Sequence, residues 1–301
     1  MIRLPQGFSA RPATMDDAGS ITELIAASER HHTGVANIDV EDVRTDFAPA
    51  SVDLAKDTVL VFEDDALAAE GFVFAGRYAN CTVHPDFEGR GLGTALLRWS
   101  QEVARRQGGT SVGGTVPDEN DLARRLFLDN GYEIAWDSWI LEIRHDDPPP
   151  EPALPPGYAI RAFEPAEARV VHDVIEGAFS EWEGRPPTPF EDWSAWALDR
   201  NGFEPWMIPV VVGEGEIVGA AYLIHYPNDT GWVQQIAVRK DHRRRGLGRA
   251  LLEHAVREFS TRGERVTGLS TDSRTGARTL YEHVGMTVTH SYTHFATTLE
   301  R

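Results

Sequence analysis

The sequence predicts an α/β protein built from two tandem modules, each a mixed, mostly antiparallel sheet with one parallel βαβ step. Two observations carry this prediction. The stretch Phe87-Glu-Gly-Arg-Gly-Leu-Gly-Thr-Ala-Leu-Leu97 returns as His242-Arg-Arg-Arg-Gly-Leu-Gly-Arg-Ala-Leu-Leu252, with Gly91 and Gly246 155 positions apart. Around each copy the same order of patterns recurs: a strand-like run, a polar loop, paired glycines and an amphipathic helix. A length of 301 residues suits two domains of roughly 150 residues, each large enough for its own core.

Each module opens alike. Phe8-Ser-Ala-Arg-Pro and Tyr158-Ala-Ile-Arg-Ala alternate as short strands, and acidic helix starts follow at Thr14-Met-Asp-Asp17 and Glu164-Pro-Ala-Glu167. Strands are expected at Thr58–Phe62 and Pro209–Val212, and Gly213-Glu-Gly-Glu-Ile217 turns the chain back into Val218–Ile224. The next strands are Asn80–Val83 and Val233–Val238. Behind the glycines, Leu92, Ala95, Leu96, Trp99 and Val103, and again Leu247, Ala250, Leu251, Ala255 and Phe259, fall on one helical face. Strands at Thr110–Val112 and Arg265–Ser270 then lie parallel to the preceding ones through a βαβ crossover. Second helices end at Gly131-Tyr132 and Gly285-Met286. Prolines across 147–157 remove donors and fix φ, so this segment reads as a stiff linker between domains 1–146 and 158–301.

Composition narrows the partners. There are 47 acidic against 29 basic residues, a formal charge of -18, which argues against nucleic acid and anionic membrane surfaces. One cysteine, Cys81, excludes an intrachain disulfide, the apolar runs are strand-sized, and the first residues lack a signal peptide's apolar stretch. A cytoplasmic protein is expected. No His/Cys group has metal-ligand spacing, so no metal is expected, and His31-His32 reads as surface.

Glycines at the start of a helix make an anion cradle, because the first N–H groups lack helical partners and the macrodipole is positive there. In this acidic chain Arg239, Lys240, Arg243, Arg244, Arg245 and Arg249 crowd one such loop. A pyrophosphate fits that combination.

The residues Arg243-x-x-Gly-x-Gly248, followed by Ala277-x-x-Leu-Tyr-x-x-x-Gly285, resemble the GNAT superfamily of acyl-CoA N-acyltransferases. The first copy, Glu88-Gly-Arg-Gly-Leu-Gly93 with Asn120 to Tyr132, matches more loosely. Together the two copies span nearly the whole chain, and the layout is similar to that of two-domain members of the family. The resemblance implies acetyl-CoA, or another acyl-CoA, as co-substrate. Its pyrophosphate would be held by Arg243, Arg244, Arg245, Gly246, Leu247, Gly248 and Arg249, and its pantetheine arm would lie along Ile236, Ala237 and Val238 as an added strand. Arg274 stands where the family usually has asparagine. In the first half the corresponding residues are Cys81, Thr82, Val83, Arg90, Gly91, Gly93, Thr94 and Asn120.

The resemblance also implies direct attack by an amine, with backbone N–H groups near Ile236 and Ala237 as an oxyanion hole and Tyr281 as general acid to the thiolate. A phenol of reference pKa about 10 can donate to a thiolate of about 8.5. The first half has Phe127 at that place, which cannot donate, so turnover is expected from the second half. Glu181, Glu183, His225, Asp272, His290 and His294 are candidate bases. Trp182 and Trp193, with Glu181, are candidates for the wall of an amine pocket.

The expected activity is N-acetyl transfer to a primary amine of a small molecule. The alternatives are a non-catalytic acyl-CoA sensor and protein lysine acetylation. A monomer with pseudo-dimeric domains, or a dimer, is expected.

Overall fold

The computed structural model describes residues 2–36, 38–181, 187–226 and 229–300. The chain divides into two compact units. Unit 1 comprises Met1–Asp137 with Ser291–Arg301, and unit 2 comprises Ser138–His290.

In chain order the first module contains β1 (Phe8–Arg11), α1 (Ala18–Thr33), α2 (Val40–Phe47), α3 (Leu54–Asp57), β2 (Thr58–Glu63), β3 (Ala66–Phe74), β4 (Tyr78–Val83), α4 (Leu92–Arg106), β5 (Ser111–Pro117), α5 (Asp121–Asp129) and β6 (Glu133–Arg144). The second contains β7 (Tyr158–Ala162), α6 (Ala168–Phe179), α7 (Phe190–Ala197), β8 (Pro209–Gly213), β9 (Glu216–Tyr226), β10 (Thr230–Val238), α8 (Leu247–Thr261), β11 (Val266–Asp272), α9 (Arg278–Val284) and β12 (Thr287–Thr298). The expected mixed sheets are present. In unit 1, β1 to β4 pair antiparallel in sequence and β4 meets β5 in parallel. In unit 2, β7 to β10 do the same and β10 meets β11 in parallel.

The last strands depart from the expected division. β6, written in the first module, pairs antiparallel with β11 over Ser138–Arg144, whereas the C-terminal part of β12 pairs with β5 over Tyr292–Thr298. Each module therefore gives its final strand to the other unit. The unit boundaries fall inside strands, at 137/138 and 290/291, not in the proline segment. That segment lies on unit 2, where Arg257 donates to the Pro149 carbonyl and Leu154 packs on the core.

Periodicity placed the helices correctly. Leu92, Ala95, Leu96, Trp99 and Val103 are buried on α4, and Leu247, Ala250, Leu251, Ala255 and Phe259 on α8. Burying each large apolar side chain contributes roughly 1.5–3 kcal/mol. α8 can press on the sheet because β10 carries Gly231, where a Cβ would lie 2.2 Å from the Phe259 ring. The opposite face of the unit 2 sheet is filled by Val171, Ile175, Trp193, Ile208, Ala220 and Tyr222. In unit 1 the corresponding face carries Ile21, Val43, Phe47, Leu60 and Phe72 under α1 and α2.

Candidate functional site

The unit 2 cradle forms because β10 ends in a loop that reaches α8 through left-handed backbone. Gly246, with φ 81°, precedes the helix, and no side chain caps it. The first-turn N–H groups are thus left for a ligand or water. Arg244 also has positive φ, 61°. The same step in unit 1 has glycine, with Gly89 at 72° and Gly91 at 85° before α4.

Each cradle adjoins a parting of strands. β10 pairs with β11 only from Thr230 to Val233, against Val266 to Leu269, and a bulge between Val233 and Gln235 turns the strand. Beyond it, Ile236, Ala237 and Val238 pair with β9 alone among the described residues. An extended chain can therefore add to the open edge of β10. β4 parts from β5 even earlier, with Tyr78 and Gly113 their only paired position among the described residues.

Most of the clustered cations have protein partners. Arg243 donates to the Val238 carbonyl and holds Glu181 in a bidentate pair at 2.8 and 2.9 Å. Arg239 bonds Glu216 and Asp241, Arg245 bonds the Tyr158 hydroxyl, and Arg249 bonds Glu253 one turn on. Arg244 is exposed, with no side-chain ion pair among the described residues. Of the six cations expected beside the cradle, Arg239, Arg243, Arg245 and Arg249 thus meet phosphate in competition with these partners. An acidic chain holds its arginines by local pairing unless an anion competes.

Tyr281 lies on α9, buried at 7% exposure in the core that contains Leu247 and Leu269. Burial pushes its hydroxyl up to about 12, a hydrogen bond with Thr271 opposes this, and the Asp272 charge adds to it. The phenol is protonated throughout the neutral range.

The remaining candidates are less well placed. Arg274 is drawn onto Asp272 through its backbone N–H, Nε and Nη2, at 2.6 to 3.1 Å. That pairing engages both the pantetheine candidate and the candidate base. Glu181 faces Arg243, and this ion pair lowers its pKa. Trp193 is not a pocket wall: it is 0% exposed and donates Nε1–H to Gln235 within the core. Trp182 and Glu183 lie outside the described residues. His225 is bonded to Glu264 and pairs across from Gly231, at the strand end away from the cradle. His290, half-buried, contacts Thr289. His294 belongs to unit 1, where it meets Thr115 and stacks on Trp136.

In unit 1 a cavity of about 590 Å³ runs from the cradle residues Gly89, Gly91, Gly93 and Thr94 past Cys81, Thr82 and Val83 to Asn120 and Phe127. Arg90 is tied to Glu63 and lies over the Phe8 and Phe87 rings. Asn120 caps α5 by accepting from the Ala123 N–H. Phe127 stacks on Phe295, 5.2 Å between centroids. Sequence reasoning missed Glu70. It lies on β3 opposite Thr82, is 4% exposed and lines the same cavity. His31, His32 and Glu88 bring ligand-type atoms within 4.8 Å of one another at the cavity's cradle end, and His32 is hydrogen-bonded to Glu88. His31 is exposed and His32 half-buried.

Each unit thus sets an uncapped helix start beside parted strands. The chain matches the Acetyltransferase (GNAT) family over residues 58–132 and 169–286. It belongs to that family and is an N-acetyltransferase that uses acyl-CoA as co-substrate. It is 29% identical over 285 residues to a mycothiol acetyltransferase of Thermomonospora curvata, covering 89% of this chain and 90% of that one. A mycothiol acetyltransferase of Thermobispora bispora is 28% identical over 76% of this chain and 79% of its own. Among solved structures, a GCN5-related N-acetyltransferase from Sphaerobacter thermophilus superposes with TM-score 0.81 at 32% identity, over 99% of this chain and 98% of that one. A tandem GNAT protein from the clavulanic acid biosynthesis pathway shares the fold, at TM-score 0.72 and 17% identity over 98% and 99%. No helix among the described residues is long and apolar enough to cross a membrane.

Proposed function

We propose that the chain transfers an acetyl group from acetyl-CoA to a primary amine of a small molecule by direct attack, and that Tyr281 protonates the departing thiolate in unit 2. The observation that carries the proposal is the conjunction in unit 2 of an uncapped cradle, an open β10 edge and a buried, protonated phenol. The cradle residues from Arg243 to Arg249 would hold the pyrophosphate, and Ile236 to Val238 the pantetheine arm. Gly248 suits close approach, since a Cβ there meets protein atoms only at 3.8 and 3.9 Å. The relatives named mycothiol acetyltransferase, matched over most of their length, support a small-molecule acceptor over a protein lysine.

A phenol near 12 donates uphill to an ordinary thiolate of about 8.5. The same dry surroundings raise the thiol too, which narrows the gap between donor and acceptor. Tyr281→Phe should lower kcat by roughly ten- to a thousandfold while acetyl-CoA binding measured by calorimetry stays nearly unchanged. Unaltered kcat with the true acceptor removes Tyr281 from the chemistry.

A further inference from the structure

We infer that unit 1 is an acyl-transfer site in its own right, whose acceptor is an apolar primary amine and whose base is the Glu70 carboxylate at the floor of its cavity. The inference rests on the acyl-transfer reading above and adds to it a location, a substrate class and a base.

Geometry makes the case. The unit 1 cavity joins the cradle, the open flank of β4 and the space beneath α1 and α2, so an acyl-CoA cleft and an acceptor pocket are one continuous volume. About 590 Å³ lies within the range of small-molecule sites. Beneath the helices its walls are apolar, formed by Ile21, Ile25, Val43, Phe47 and Phe72. Glu70 stands among them. Thr82 donates to its carboxylate from both N–H and side chain, yet Oε1 is buried without a hydrogen-bond partner. A buried carboxylate oxygen left without a donor loses its hydration uncompensated, and an ammonium N–H facing Oε1 supplies the missing bond.

The second unit shows what a filled version looks like. Thr82 and Ala237 lie at the same offset from their cradles, and their cross-strand partners are Glu70 and Ala220. Ala220 is 0% exposed within the cluster that holds Trp193 and Tyr222. The carboxylate has become a methyl group, and indole and phenol rings pack the corresponding face.

Charge selects a cation. Glu29 and His32 from α1, Asp46 from α2, Cys81 from β4 and Glu88 from the cradle loop line the cavity with Glu70. His32 is engaged by Glu88, and the rest are acidic or neutral. Burial, with Asp46 adding its charge, pushes Glu70 up to about 8, and burial first and Glu70 second push the Cys81 thiol up. A carboxylate of that basicity can take a proton from an alkylammonium whose own pKa falls in the same apolar surroundings.

The step balances without a further reactant. Glu70 accepts one ammonium proton and passes it to solvent. The nitrogen lone pair forms the C–N bond, the C–S bond breaks with its electron pair going to sulfur, and the second nitrogen proton reaches the thiolate through water. The products are amide, free thiol and one proton released. Phe127, at the position that Tyr281 holds in the second copy, has no proton to give, and water serves that role.

The test is thiol release from acetyl-CoA by the full chain, with n-hexylamine and with glucosamine, from about pH 6 to about pH 9. Hexylamine turnover is expected to rise with pH through a limb near 8, and hexylamine should exceed glucosamine in kcat/KM by about tenfold or more. Glu70→Gln should lower kcat about tenfold or more and erase the limb. Asp46→Asn provides a second, gain-of-function readout, because removing its charge should move the limb to lower pH. A folded Glu70→Gln variant with kcat within about twofold of wild type and an intact limb overturns the inference, as does an Asp46→Asn variant with the limb unmoved. Activity on other amines but not hexylamine also sinks the inference, while the acyl-transfer reading survives. Silence of the wild type on every amine, with acetyl-CoA still bound, sinks that reading itself.

Discussion

Glu70→Gln should make the protein more stable at alkaline pH, and the gain can be worked from the structure. In the unfolded chain the carboxyl has its ordinary value of 4.5, and in the fold it is held up to about 8. The folded state therefore keeps a proton that the unfolded state has released between these values. Stability from this group is fully present below about 4.5 and is lost as pH rises through about 8. Each tenfold difference in proton affinity between the two states is worth about 1.4 kcal/mol, so the whole window holds at most roughly 5 kcal/mol. Water entering the cavity lowers that ceiling. Glutamine copies the shape of the neutral acid and has no proton to lose. Urea unfolding of both proteins at about pH 6 and about pH 8 should show the difference between them shifting by roughly 2–3 kcal/mol in favour of the variant. Parallel pH dependences would refute the claim that Glu70 is buried and strongly perturbed.

Gly248→Val should abolish acetyl-CoA binding in unit 2 with the fold intact, since the protein leaves room for the side chain, while exposed Arg244→Ala should cost no more than about 1 kcal/mol of affinity. Equal calorimetric losses contradict a main-chain cradle. Trp193→Ala should destabilise by about 3–5 kcal/mol and leave the acceptor KM unchanged. A raised KM in a protein of undiminished stability returns Trp193 to the pocket. Gly231→Ala should destabilise by roughly 1–3 kcal/mol on melting, because the fully buried Phe259 ring cannot retreat from the new methyl, and an unchanged melting temperature contradicts that packing.

What was legible in the sequence was local and periodic. The α4 and α8 faces, the β8–β9 turn at Glu214 and Gly215 and the glycines before each cradle helix all encode their conformation within a few residues. Pairing between distant strands is not encoded that way. β6 and β12 close modules of the same type, and nothing in the local pattern of either says whose sheet it completes, so the exchange of strands was invisible. Glu70 was hidden for a related reason. In Ala68-Ala-Glu-Gly-Phe72 it reads as one polar residue on a strand, and only α1 and α2 folding over β3 turn it into a buried carboxylate. Trp193 and the cradle arginines show the opposite error. Residue types suited to a site were used instead for core packing and local ion pairs.

The central claim is acyl transfer from CoA to a small amine, and product analysis tests it most directly. With acetyl-CoA and a panel of primary amines, the full chain should release free thiol and N-acetylated amine in equal amounts. Saturable acetyl-CoA binding with neither product formed above the uncatalysed background would contradict the account and leave a protein that only holds acyl-CoA.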